Sequence, residues 1–282
     1  MSVIIGTANI LLFKDGAKYR NRQVYTPLGN SLLDACEDVW QDEKMDAFIK
    51  TIPNVPALRE VFLVDENERN MRQERYLSYI FADCDFVCLQ EVDPKQVGRL
   101  AKALNMPKCV MNAERGCALF ARDSANIINA DSLMPNAVFM YDATRQLAVV
   151  CVHNQGFDPN NIDEMTQSIN QIESYAKRMR EAGYPSVVIV GDFNIRAGYN
   201  PEDLMLKSQM ARQGFTEPAV AKGPTATESC TRFFRPNYIT IDRCFVRNVE
   251  NDVVSVDYSD KLGPTNPHSD HTPLIIKINN KK

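Results

Sequence analysis

The stretch "VIVGDFNIR", residues 188–196, carries an apolar run straight into Asp192, with Asn194 two positions later. Gly, Asp and Asn are the usual turn formers, so a turn is the ordinary reading of any one such ending. The ending recurs, however. Asn9 stands in "GTANI", Glu91 in "VCLQEVD", His153 in "VVCVHN" and Asp242 in "ITIDRCFV". A further cluster, "HSDHTPL", places Asp270 and His271 just before the last apolar run. Polar groups of catalytic type at so many strand-like ends favour a shared cleft over turn chemistry.

These residue types suit one kind of chemistry. Carboxylates with Asn supply hard oxygen ligands of the sort Mg²⁺ or Mn²⁺ prefers. A His with an Asp partner is held in one tautomer and charge state. A metal, an activated water and donors around developing charge are what phosphoryl transfer requires. Zinc is disfavoured: the eight cysteines and three histidines show no Cys-x-x-Cys pair and no zinc-like spacing.

The elements that must position these groups are legible in outline. The 282 residues, 44% hydrophobic and 24% charged, describe an ordinary globule able to bury a core without staples. One domain over 1–282 is expected. Net charge is −4, so no broad basic footprint for duplex nucleic acid is visible. "MSVIIGTANILLF" lacks a basic leader and is too short to span a membrane; residues 3–13 read as a first strand. Cys88, Cys151 and Cys244 sit in apolar runs, which favours reduced core cysteines in a cytoplasmic protein over a disulfide framework. Residues 14–70 form a long polar stretch that reads as an insertion decorating one face. Helices are expected at about 68–81, 96–106, 162–179 and 201–213. The third is the clearest, with Met165, Ile169, Ile172, Ala176 and Met179 at helical spacing. Strands are expected in "DCDFVCLQEVD", "KCVMN", "GCALFAR", "NAVFMYD", "QLAVVCVHN", "SVVIV", "YITIDRCFV", "DVVSVDY" and "TPLIIKI". Some strands follow one another directly and others are separated by helices, so mixed sheets packed face to face, with helices outside, are favoured over a purely parallel sheet.

In this order, "TANI", "LQEV", "VHN", "GDFN", "IDRCF" and "SDHTPL" resemble the motifs of the endonuclease/exonuclease/phosphatase superfamily, the fold of DNase I and the apurinic endonucleases. The resemblance runs from residue 7 to 274. It implies a four-layer αββα sandwich of two mixed sheets flanked by helices, and a Mg²⁺- or Mn²⁺-dependent phosphoesterase. Carried over by motif, Glu91 is the principal metal ligand with Asn9 beside it, and Asp270 supports the metal side. Asp192 orients or deprotonates the attacking water. Asn194 hydrogen-bonds the phosphate and helps to hold Asp192. His271 contacts the phosphate, oriented and kept cationic by Asp242, and His153 donates to a phosphate oxygen. The chain departs from the pattern at Ala8, where an aromatic is common, and at Leu11, where some nucleases carry an acidic residue.

Arg196, two positions after Asn194, and Arg243, directly after Asp242, are expected to bind a second anionic group of the substrate. Arg72 and Arg75 read as a solvated helix face. Trp40, Phe233, Phe234 and Tyr238 read as core packing rather than a stacking platform, and His268 as a loop residue. Three function classes remain. The first is a phosphodiesterase acting on a nucleic-acid end, adduct or short strand. The second is an inositol-phosphate or phosphoinositide phosphatase, or a sphingomyelinase-type phospholipase. The third is a non-catalytic binding module on the same fold. The spacing of Pro236 from Asp242 counts against the inositol phosphatases, and a binding module has no need for Glu91, Asp192 and His271 together. No integral membrane association is expected.

Overall fold

The computed structural model describes residues 2–10, 66–134, 136–157, 161–198, 200–218, 226–228, 237–249, 254–258, 271 and 273–279. Two mixed sheets dominate. The first has the order β12-β13-β1-β2-β4-β3, with β1 Ser2–Asn9, β2 Phe86–Gln90, β3 Lys108–Asn112, β4 Cys117–Ala121, β12 Val254–Tyr258 and β13 Leu274–Asn279. The second has the order β11-β8-β7-β6-β5, with β5 Ile127–Met134, β6 Ala137–Asp142, β7 Leu147–His153, β8 Ser186–Asp192 and β11 Asp242–Arg247. A short ribbon pairs β9 Ala226–Glu228 with β10 Asn237–Ile239.

Each sheet contains one parallel pair, β1 with β2 and β7 with β8; every other pairing is antiparallel. Parallel neighbours need a crossover, and here each crossover carries a helix. Helix α1, Glu66–Ile80, precedes β2, and α3, Ile162–Glu181, lies between β7 and β8. Helix α2, Val97–Leu104, follows β2, and α4, Pro201–Arg212, follows β8. The helix starts are written locally. Asn161 and Asn200 accept hydrogen bonds from the backbone amides of Glu164 and Asp203, and acidic residues occupy both first turns. Pro201 opens α4, where its missing N–H costs nothing.

Period-two alternation then builds four layers. Val3, Ile5, Phe86, Cys88, Leu119, Val149, Cys151, Val188, Val190, Cys244 and Ile276 face one another between the sheets. Their neighbours in sequence face outward: Val87 and Leu89 pack with Leu77, Phe81, Leu100 and Leu104 of the first helix layer and its flanks. Val150, Ile189 and Phe245 pack with Ile169, Ile172, Tyr175, Leu206 and Met210 of the second. The fold is therefore the expected αββα sandwich. Six free cysteines lie among the described residues, and burial pushes the thiols of Cys88, Cys117 and Cys244 up, which suits them as apolar packing groups.

The differences from the expected elements are specific. The run 238–246 divides into β10 and β11 at Thr240 and Ile241. Strand β5, "IINADSLM", had no clear alternation; it is a sheet edge whose pairing with β6 is broken by two register shifts. The short strand β9 was also not expected. Of the proposed insertion at 14–70, residues 14–65 lie outside the described residues, and the remainder opens α1. Trp40, Phe233, Phe234 and His268 also lie outside them.

Candidate active site

The carboxyl ends of the two parallel pairs meet at one edge of the sandwich, the kind of place where α/β folds present ligand-binding groups. Strand register sets one side. His153 pairs with Asp192 across β7 and β8, and Asp192 pairs with Asp242 across β8 and β11. All three share parity with the inward-facing Cys151, Val190 and Cys244 of their strands. On the other side Asn9 pairs with Gln90 across β1 and β2. Glu91 comes next, and simple alternation would send it outward with Val87 and Leu89. Its backbone adopts φ 58°, a left-handed conformation uncommon outside glycine, and its side chain reaches the cleft. Gly116 makes room for that bend. A Cβ there would stand 3.0 Å from the Glu91 Cα and 2.8 Å from the Val92 nitrogen, and its carbonyl accepts the Val92 N–H at 2.9 Å.

Asn9 joins the two sides. Its Nδ2 donates to Glu91 Oε1 at 3.0 Å and to Asp192 Oδ2 at 3.1 Å. Below it, the fully buried Gln90 donates to Thr7 Oγ1 at 3.2 Å and approaches Cys151 Sγ at 3.3 Å, so one amide links both sheets. Asp192 is almost wholly buried, and its Oδ1 accepts the backbone N–H of Asn194 at 2.8 Å. That loop needs Gly191, because a Cβ there would stand 2.1 Å from the Val152 carbonyl oxygen. His271 Nδ1 lies 2.8 Å from Asp242 Oδ2, and its Nε2 lies 3.8 Å from Asp192 Oδ2. His153 Nδ1 lies 3.0 Å from the Arg115 carbonyl oxygen, which can only accept, so this nitrogen carries the hydrogen. His153 Nε2 is then directed to Glu91 Oε1 at 3.7 Å and Asp192 Oδ2 at 4.0 Å.

Glu91 is the electrostatically strained member. Burial pushes its carboxyl above the ordinary carboxylate range; His153, the Asn9 amide and His271 pull the other way, and Asp192 adds to the rise. Among the described residues its Oε2 is buried without a hydrogen-bond partner. An orphaned, desolvated carboxylate oxygen beside an Asn and a second carboxylate has the donor chemistry that a divalent cation fits. The residues that could hold one are Glu91 and Asn9; Asp270, expected alongside them, lies outside the described residues. Among the described residues alone, no three His, Cys, Asp or Glu side chains form a metal cluster.

One expectation needs correction. Arg243 does not face the cleft. Asp242 points between the sheets, so its neighbour in the strand points to the helices. There the fully buried Arg243 guanidinium bonds Asp203 Oδ1 at 2.6 Å and both Glu217 oxygens at 2.7 Å, 5.2 Å from the centre of the Phe245 ring. Asp203 in turn accepts the Gly198 N–H at 3.0 Å and bonds Lys207 Nζ at 2.8 Å. The attractions of Lys207, Arg243 and that N–H outweigh burial and hold the Asp203 carboxyl below its usual range. The Asn194 Nδ2 donates to the Asn154 carbonyl at 2.8 Å, at a left-handed φ of 50°. Its hold on Asp192 is through the backbone. Arg196 lies exposed on the same loop.

Some supporting residues escaped the sequence reading. Asn154 is fully buried: its backbone N–H bonds the Asp192 carbonyl at 2.8 Å and its side chain the Phe193 carbonyl at 3.1 Å. Its place in "VHN" was the available signal. Gln73 of α1 donates to the Ile10 carbonyl at 2.6 Å and fixes the chain just beyond Asn9; nothing in its sequence context marks it.

Among solved structures, D. rerio TDP2 complexed with a single-strand DNA product shares 15% identity and a TM-score of 0.59, each chain covered over 99%. The 3′ phosphatase NExo from Neisseria, bound to a product DNA hairpin, shares 16% identity and a TM-score of 0.57, over 75% of this chain and 95% of its own. The endonuclease domain of TRAS1, a telomere-specific non-LTR retrotransposon, shares 12% identity and a TM-score of 0.54, over 99% of this chain and 100% of its own. At these identities the likeness is one of fold. No match was found among curated protein sequences. The sequence itself settles the family, because residues 54–271 match its model and span the strand ends from Glu91 to His271: the chain belongs to the endonuclease/exonuclease/phosphatase family.

Proposed function

We propose that this protein is a Mg²⁺- or Mn²⁺-dependent phosphodiesterase that hydrolyses a phosphodiester at a nucleic-acid end, adduct or short single strand. The observation that carries the reading is the Asn9 bridge, which holds the orphaned carboxylate Glu91 and the buried carboxylate Asp192 on one amide. Glu91 and Asn9, with Asp270, would hold the ion. When bound, it supplies a positive charge that polarises the phosphoryl oxygen. Asp192, anchored by the Asn194 N–H, orients the attacking water and takes its proton at Oδ2. Asp242 fixes the His271 ring through Nδ1 and stabilises its charged form, so Nε2–H donates to a non-bridging phosphate oxygen as charge develops. His153, held by the Arg115 carbonyl through its Nδ1–H, turns Nε2 toward the phosphate from the other side, where donation to an oxygen requires the imidazolium form.

The acidic chain, at net charge −4, favours a compact target over a long duplex tract. The nucleic-acid products held by the D. rerio TDP2 and NExo structures add support for this substrate class. No helix among the described residues is long and apolar enough to cross a membrane. The test is hydrolysis of end-labelled oligonucleotides, 5′-adducts, inositol phosphates, lipid phosphoesters and intact plasmid at fixed salt, with Mg²⁺ and with EDTA. Turnover confined to the nucleic-acid ends and lost in EDTA is expected. Efficient nicking of intact plasmid, or preference for the inositol or lipid esters, would overturn the substrate class.

A further inference from the structure

With Arg243 buried on the far face, the cleft lacks one of the cations expected to bind a second anionic group, and the geometry points to Arg115 in its place. We infer that Arg115 binds the phosphate next to the scissile one along a single nucleic-acid strand, and so discriminates strands from isolated phosphodiesters. This rests on the phosphodiesterase reading above.

Arg115 lies in the turn between β3 and β4, and that turn is built rigidly against the site. Asn112 Oδ1 accepts the N–H groups of Glu114 and Arg115 at 2.9 and 3.3 Å. Gly116, at φ 65°, sits against the backbone of Glu91 and Val92. The Arg115 carbonyl orients His153. The side chain is therefore presented from a backbone that touches two proposed site residues. Its Nη2 donates to Gln155 Oε1 at 2.9 Å, and Gln155 lies two residues beyond His153. Gln155 is neutral, and among the described residues no carboxylate pairs with the exposed guanidinium. Among the described residues its charge is not neutralised, unlike that of Arg243, and its remaining fork of donors matches phosphate geometry. A neutral amide on one arm orients the fork without cancelling its charge, which is the arrangement an anion subsite requires.

The experiment compares wild type, Arg115→Gln, Arg115→Lys and the remote control Arg99→Gln. Arg99 pairs with Glu74 on the first helix layer. Two substrates are used with Mg²⁺: an eight-nucleotide single strand, and the p-nitrophenyl ester of thymidine 5′-monophosphate, which has one phosphodiester and no neighbouring phosphate. Arg115→Gln is expected to raise KM for the strand about tenfold, the scale of one hydrogen-bonded charge contact, with kcat kept. The single ester and Arg99→Gln should show no change. Binding of the strand in EDTA, followed by fluorescence anisotropy against salt, should lose about 0.7 from its log–log slope, the share of one phosphate on a single strand. Arg115→Lys should keep that slope and recover only part of the affinity. Gln155→Ala should weaken strand binding in wild type and have no effect in the Arg115→Gln background. Equal losses on both substrates, or an unchanged salt slope, would overturn the subsite while leaving the phosphodiesterase reading intact. A wild-type protein that hydrolyses neither substrate would overturn both.

Discussion

The two sides of the cleft are built by opposite means. On the second sheet, His153, Asp192 and Asp242 stand opposite one another because three neighbouring strands are in register. Their polar atoms are largely engaged: Asp192 with Asn194 and Asn9, His271 with Asp242, His153 with the Arg115 carbonyl. On the first sheet, Glu91 reaches the cleft by leaving the strand pattern, at a left-handed φ of 58° held by Gly116. Among the described residues it keeps one oxygen buried and unpartnered, and its carboxyl is pushed up by burial. Such backbone conformations concentrate at functional sites, where they persist only if the surroundings enforce them. The difference teaches a division of labour. Under the proposed function the hydrogen-bonded second sheet would handle protons, whereas the first, with its desolvated carboxylate, would hold the cation.

The largest expected effect falls on the finished side. Asp192→Asn keeps the shape and removes the proton acceptor. It should lower the single-turnover rate about 100- to 10,000-fold while the strand still binds. A variant that loses binding and keeps its chemical rate would assign Asp192 to affinity alone.

The next effect separates the cleft from the layer behind it. Arg243→Met removes one partner of a fully buried ion network and leaves Asp203 and Glu217 with Lys207 as their remaining cation among the described residues. Breaking such a network typically costs about 3–5 kcal/mol, to be read from urea unfolding. KM of the folded fraction should not change. A raised KM at unchanged stability would return Arg243 to the cleft.

That residue also shows where sequence reading reached its limit. Apolar runs ending in Asn9, Glu91, His153, Asp192 and Asp242 were enough to give the layers and the cleft, because burial and strand ends are written in local pattern. The face occupied by Arg243 was equally legible: a residue adjacent to an inward Asp242 must point outward. Proximity in sequence to a site residue was the wrong guide. Other features had no local signature. The left-handed turn at Glu91 depends on Gly116, which is distant in sequence. The roles of Gln73, Gln90 and Asn154 consist of hydrogen bonds to groups brought near by folding. Strand β5, an interrupted edge, gave neither alternation nor a continuous apolar run.

The division of labour is tested most directly by titrating Mg²⁺ against the hydrolysis rate of a short strand for wild type, Glu91→Gln and Asp192→Asn. Glu91→Gln should move the half-maximal Mg²⁺ concentration upward by at least about 10-fold, since losing even an outer partner of a metal ligand typically costs about 10- to 100-fold. Asp192→Asn should lower the plateau and leave the midpoint where it is in wild type. A Glu91→Gln protein that keeps the wild-type midpoint, or two variants that shift the same parameter by the same amount, would contradict the account.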